Sequence, residues 1–350
     1  MNEKKYQLDD FYKHLFSWIN NFKINDNAVG EFSLIRGKKK PSLYALCDII
    51  YNLFIPDVIQ KYLDIHERED ENKWIEKIQS YQNPKTGWFT DRYFNYKFRS
   101  PFTGQWEHAT AFAISALKLL KAKPQFELKI SKKLNTKKKV EKWLKKVPEW
   151  GFLVWPGSHR GGGIGAIFAT LGQEYYPHQN FFDWYFDWLD NKADPEVGFW
   201  RLGWNHKFMK RLTKHELGGA VHYYWIYEFM KRSIPYPKKI IDSTLQLQNE
   251  FGLWDNRVSY CIDLDAIFCL LRCGGHVDDY RKEDVKEAII KYLDYTIPCL
   301  NDKMFLYNQY ISTHKLTGCL GAIAEIYRYM PELFDPSIKF IQSLDITPWI

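Results

Sequence analysis

The sequence predicts an all-α protein, an α/α toroid of about six helical hairpins forming an (α/α)6 barrel. Three observations predict it. A short Gly-aromatic or Gly-apolar turn recurs along the chain. Each turn is followed by an apolar helix with a small residue in one column: Ala45, Ala111, Ala166, Ala220, Ala266 and Gly318. Amphipathic segments at helical spacing precede the turns, while strand signals are weak throughout. An open superhelix is the alternative arrangement of the same repeats.

In chain order, the turns are Gly30-Glu31-Phe32, Gly87-Trp88-Phe89, Gly151-Phe152, Gly198-Phe199-Trp200 and Gly252-Leu253-Trp254. A sixth, Met304-Phe305, has lost its glycine. The inner helices are expected to start at Ser42, Glu107, Gly162, Glu216, Asp263 and His314. They are apolar nearly all round, as buried helices must be, whereas NKWIEKIQSYQ, VEKWLKKV, FFDWYFDWLD, IIDSTLQLQ and EAIIKYLDYTI keep a polar face. Repeats at roughly 1–64, 65–121, 139–175, 181–231, 238–275 and 285–330 leave no linker, so one domain over 1–350 is expected.

Composition narrows the class. Aromatic residues make up 17% of the chain, which calls for a large ring-rich core, with a smaller set available to line a cavity. The charged start MNEKKYQLDDFYKH lacks the apolar stretch of a secretory signal, and no run approaches a membrane span. Six cysteines without a CxxC pair suggest free thiols and a cytoplasmic location. The formal charge of +7 is concentrated between Lys121 and Lys146. A solvated helix face is the plainer reading of that run, and peripheral contact with anionic lipid headgroups the sharper one. Stacking aromatics are not regularly interleaved with these lysines, so nucleic acid is disfavoured as a partner.

In a barrel of this kind the inner-helix N-termini share one rim, where unpaired N–H groups favour anions. Glu107, His108, His159, Arg160, Glu216, Asp263, His314 and Lys315 are expected there. Each acid taken alone is an ordinary cap, but histidine gains nothing from a helix N-terminus, so several at one rim point to function. Asp263 and Asp265 lie about 200° apart on a helix and point to opposite sides unless the helix starts after Asp263. A carboxyl in an apolar cavity has a raised pKa and acts as an acid. His222 is expected deeper, bonded to a neighbouring carbonyl. HRGGGIGA lacks the spacing of a phosphate loop, and no HExxH signature is present.

The repeat resembles that of the terpenoid-cyclase and protein-prenyltransferase superfamily. HATAFAISALKLL from His108, HELGGAVHYYW from His215 and THKLTGCLGAIAEI from Thr313 carry the likeness. The resemblance implies an isoprenoid-type substrate and a divalent metal, zinc or magnesium. Cys261 and His314 match two of the family's zinc ligands, while Ser259 stands where the family has an Asp, for which Asp263 is a candidate substitute. Asp263-Leu264-Asp265-Ala266 keeps two of the acids of the cyclase DxDD motif, which makes Asp265 the match for the proton donor. Trp106, Tyr223, Trp254 and Tyr260 are the expected ring lining. Arg160, Arg257 and Lys315 are the expected diphosphate contacts. Two other functions fit the same architecture. One is a polysaccharide lyase or glycoside hydrolase using Glu216, His215 and His222 on an oligosaccharide. The other is a non-catalytic binding toroid or scaffold in which the rim acids are only caps; a partner subunit is compatible with each reading.

Overall fold

The computed structural model describes residues 5–25, 29–66, 71–91, 104–145, 154–203 and 212–350. Among them are 14 α-helices and no strands, only isolated bridges. They are α1 (Asp9–Asn20), α2 (Leu43–Phe54), α3 (Ile59–His66), α4 (Glu71–Gln79), α5 (Gln105–Leu119), α6 (Lys137–Lys145) and α7 (Val154–Leu171). The chain continues through α8 (Phe181–Asp190), α9 (Lys214–Phe229), α10 (Pro237–Gln246), α11 (Cys261–Gly274), α12 (Lys282–Asn301), α13 (Lys303–Gln309) and α14 (Thr313–Tyr329). No single helix among the described residues is long and apolar enough to cross a membrane.

The repeat is visible as one turn used three times. Asn83 N–H donates to Trp88 O at 2.9 Å, Asp194 N–H to Phe199 O at 2.8 Å, and Asn249 N–H to Leu253 O at 2.7 Å. Each turn needs a left-handed residue, met by Gly87, Gly198 and Gly252 at φ +80, +85 and +82°. Gln82 and Gln248 each give an amide hydrogen to the turn glycine's carbonyl at 2.9 Å. Trp200 and Trp254 tie the turn back to the preceding helix, their indole N–H groups reaching Leu189 O and Thr244 O.

Two expected elements differ. The Met304-Phe305 turn is part of helix α13. It has no glycine to take a left-handed conformation, and the Asp302 carboxylate caps the Met304 and Phe305 N–H groups instead. The third inner helix starts at least eight residues before Gly162, so His159, Arg160 and Gly161 lie inside α7 rather than before it. Propensity is overridden there because neighbouring helices press close: a Cβ on Gly162 would sit 2.9 Å from the His222 Cβ, and one on Gly163 3.0 Å from Glu107. The Gly151-Phe152 turn lies outside the described residues.

The chain gathers into two compact units, residues 1–77 with 244–343, and 78–243 with 344–350. In the first, α14 packs between α2 and α11; in the second, α7 packs between α5 and α9. The inner helices run parallel within each unit. Arg160 packs on Gly104 and Gly163 on Glu107, and likewise Cys261 packs on Gly318 and Arg272 bonds Glu325 three turns further on. The N-termini within a unit therefore share an end.

Gly318 shows why the column is small. A Cβ there would lie 2.5 Å from the Cys261 nitrogen and 2.8 Å from both Cys261 Cα and the Tyr260 carbonyl carbon. All three are backbone atoms, so no side chain can swing away. Gly318→Ala should destabilise the protein by about 1–3 kcal/mol through forced separation of α11 and α14. Urea denaturation checks this, and an unchanged midpoint would mean that the two helices part freely.

Candidate functional site

The first unit brings Cys261, His314 and Asp48 together. Cys261 opens α11, His314 is the second residue of α14, and Asp48 lies midway along α2. The Cys261 sulfur is 3.5 Å from His314 Nε2, and His314 Nδ1 is 2.8 Å from Asp48 Oδ1. Asp48 is fully buried, and its other oxygen accepts from the Thr313 hydroxyl at 2.7 Å. Asn52 donates to Thr313 O at 3.2 Å, fixing the start of α14 over α2. Burial disfavours charge on His314, yet Cys261 and Asp48 beside it hold the imidazole well above its ordinary pKa. The Tyr260 ring lies edge-on to it at 5.7 Å. Burial, with Cys261 and Asp48 nearby, keeps the Tyr260 phenol protonated.

Sequence reasoning missed Asp48. The available signal was a charged residue inside an otherwise apolar inner helix, LYALCDIIYNLF, where burial demands a partner.

The donor set at Cys261 and His314 does not fit the metal that the family resemblance implies. A structural zinc takes four protein ligands and a catalytic one three. Among the described residues no group of three His, Cys, Asp or Glu side chains is placed to hold a metal. Ser259, at the implied carboxylate position, shares its hydroxyl bond with Tyr292. Asp48 is engaged by the other imidazole nitrogen. Asp263 is no substitute, since its two oxygens accept from the Trp254 and Tyr260 N–H groups at 2.8 Å each. Magnesium asks for a cage of oxygens, which a thiol and an imidazole do not supply.

The two aspartates separate cleanly. Because α11 begins at Cys261, before Asp263, they point apart. Asp263 ties the Gly-aromatic turn to the helix start; burial lifts its carboxyl to about 7, against the backbone N–H groups that favour the anion. Asp265 is also fully buried, and neither of its oxygens has a hydrogen-bond partner among the described residues. Burial first, then Cys261 and Asp263, raise its carboxyl well above the usual range, so it stays protonated. It lies four residues after Cys261, on the same face of α11.

The second unit holds a different cluster. His108, His159 and His222 gather around Trp349, with His108 and His159 rings 4.1 Å apart and His222 stacked on Trp349 at 4.9 Å. The expected carbonyl partner of His222 is replaced by a hydroxyl, since Ser158 lies 2.6 Å from its Nδ1. Burial and the neighbouring His108 hold His222 well below its ordinary pKa, so it is neutral. Glu107 is buried, its Oε2 lacks a partner among the described residues, and burial raises its carboxyl to about 7 despite its own backbone N–H and Arg160. Arg160 lies 4.3 Å over the Trp143 ring.

Among the other expected site residues, Glu216, Tyr223 and Trp254 are engaged within the fold. Glu216 forms a capping box with Thr213 and a 2.7 Å ion pair with Arg201, which leaves it no free oxygen for acid–base work. Tyr223 is fully buried against Trp200 and Tyr185 rather than lining an open space. Trp254 is buried in its turn. His215 is exposed beside Trp155, Trp106 is half-buried, and Arg257 is exposed over Phe251. Lys315 is half-buried, beside His314 in sequence. Arg160 belongs to the second unit, and Arg257 and Lys315 to the first. From the basic segment, α6 lines a groove of about 1110 Å³ with Lys137, Lys138, Lys142 and Lys145 facing Trp188 and Lys192. No protein-family model matches the chain, and no curated protein or solved structure matches it.

Proposed function

We propose that the chain is an enzyme acting on an isoprenoid-type substrate, with Asp265 as its proton donor. The Asp265 carboxyl carries this reading. It is buried, holds its proton at neutral pH, and has no partner among the described residues for either oxygen. A structural acid would be capped or paired, as Asp263 and Glu216 are. A protonated carboxyl in a dry apolar setting suits proton delivery to a double bond. The family resemblance supplies the substrate class.

The same reading takes the six hairpins as a closed α/α toroid, supported by the repeated turn and by parallel inner helices in each unit. The lysine-lined groove supports anionic headgroups as the contact of the Lys121–Lys146 segment. Six free thiols support a reducing, cytoplasmic setting.

The test is product formation from prenyl diphosphates and linear polyprenes, followed by gas chromatography and mass spectrometry. Asp265→Asn should lower turnover about a hundredfold, whereas Asp263→Asn should mainly lower thermal stability. Wild-type protein that leaves every such substrate unchanged, or an Asp265→Asn variant that matches it, sinks the reading.

A further inference from the structure

We propose that Cys261, His314 and Asp48 form a thiol triad for acyl transfer, with Cys261 as nucleophile, His314 as base and Asp48 as positioning residue. This goes beyond the proton-donor reading: Asp265 takes no part in it, and either can fail without the other.

Geometry carries the inference. A nucleophile, a base within reach of it, and a third group orienting the base form the arrangement that activates a weak nucleophile. Here the contacts are 3.5 Å from sulfur to Nε2 and 2.8 Å from Nδ1 to the carboxylate. The first is long for a tightened complex and ordinary for a free enzyme. Three separate inner helices supply the three groups, and the Thr313 hydroxyl fixes Asp48 from below. Asp48 therefore holds the ring with Nε2 facing sulfur.

Two further features fit. Cys261 is the first residue of α11, at the positive end of that helix's dipole. That end favours the negative oxygen that develops when a carbonyl is attacked. The site is also reachable: the His314 side chain is 21% exposed and Cys261 is half-buried, whereas Cys47, Cys269, Cys273 and Cys319 are buried.

The chemistry closes on itself with an ester or thioester as acyl donor and water as acceptor. With the imidazole held protonated, the proton of the pair already rests on His314 Nε2, and the sulfur pair forms a bond to the carbonyl carbon. The bond to the alcohol or thiol leaving group breaks; that group departs with the bonding pair and takes the proton from His314. Water then attacks the thioester, giving its proton to His314. Sulfur leaves with its bonding pair, His314 keeps the proton, and the carboxylic acid is released.

Cys299, half-buried and outside the triad, is an internal reference in the same molecule. Iodoacetamide at limiting concentration, followed by peptide mapping, should label Cys261 about tenfold faster than Cys299. Asp48→Asn and His314→Gln should each bring that ratio towards one, with circular dichroism reporting whether the variant is folded. p-Nitrophenyl acetate should acetylate Cys261 in the wild type, read as one added acetyl group on that peptide, and Cys261→Ser should remove it. Should Asp48→Asn fail to fold, the wild-type labelling ratio and the acetylated peptide still decide the matter. Equal labelling of Cys261 and Cys299, no acetyl group on Cys261, or stoichiometric zinc protecting Cys261 would each overturn the triad.

Discussion

Glu325→Ala should cost about 3–5 kcal/mol of folding stability, the penalty for leaving a buried charge without its partner. Arg272 and Glu325 project from α11 and α14, with side chains 6% and 0% exposed. Arg272 Nε donates to one carboxylate oxygen and Nη2 to the other at 3.0 Å, a two-pronged pairing that matches the planar guanidinium to the planar carboxylate. Gln342 donates to the same carboxylate, so Glu325 gathers three donors. The Phe268 and Tyr329 rings flank the guanidinium at 5.2 and 5.7 Å. With Glu325 gone, the guanidinium would keep its burial and lose most of its hydrogen bonds. Replacing both members, as in Arg272→Met with Glu325→Leu, should recover most of the loss because no charge is left stranded. Urea denaturation of the two single variants and the double variant measures the cycle. A loss below about 1 kcal/mol for Glu325→Ala would mean that Arg272 escapes to water past Tyr329.

The helices were legible in the sequence because their apolar positions recur at helical spacing, and five of the six inner helices start within two residues of the expected place. The exception, α7, was obscured by three consecutive glycines, which locally argue against a helix. Only the close approach of α5 and α9 makes them suitable there. The site was legible in part. Cys261 and His314 were paired from a resemblance, and they do meet. Asp48 went unseen because its partner lies 266 residues away, beyond any spacing argument. The same holds for Arg272 and Glu325, charges set inside apolar runs whose meeting depends on how α11 lies against α14. Glu216 and Asp263 act as caps. Their position three residues into a helix, behind a turn, already named them as caps. Asp265 lies two residues beyond the capping position that Asp263 fills, so its burial needs a different explanation.

Glu107→Gln should make the protein more stable than wild type at pH 7.5 and leave it almost unchanged at pH 4. The Glu107 carboxyl is raised from 4.5 to about 7, chiefly by burial among α5, α7 and their neighbours. Below pH 4.5 both the folded and the unfolded chain carry this proton, and the group contributes nothing to the difference. As pH rises from 4.5 to 7 the unfolded chain releases the proton while the folded chain retains it, so folding becomes less favourable. Above pH 7 the loss levels off at about 3 kcal/mol, from roughly 1.4 kcal/mol for each unit of raised pKa. Glutamine has no proton to release and escapes the penalty. His222, held neutral, and Asp263, also raised to about 7, shift both proteins equally and cancel in the comparison. Thermal or urea unfolding of the two proteins at pH 4, 5.5 and 7.5 would give a gap that opens with pH. A constant gap would mean that Arg160 holds Glu107 ionised in the folded state. The outcome bears on function: a carboxyl that keeps a proton near neutrality exchanges it readily, and the stability given up at that position measures what the arrangement costs the fold.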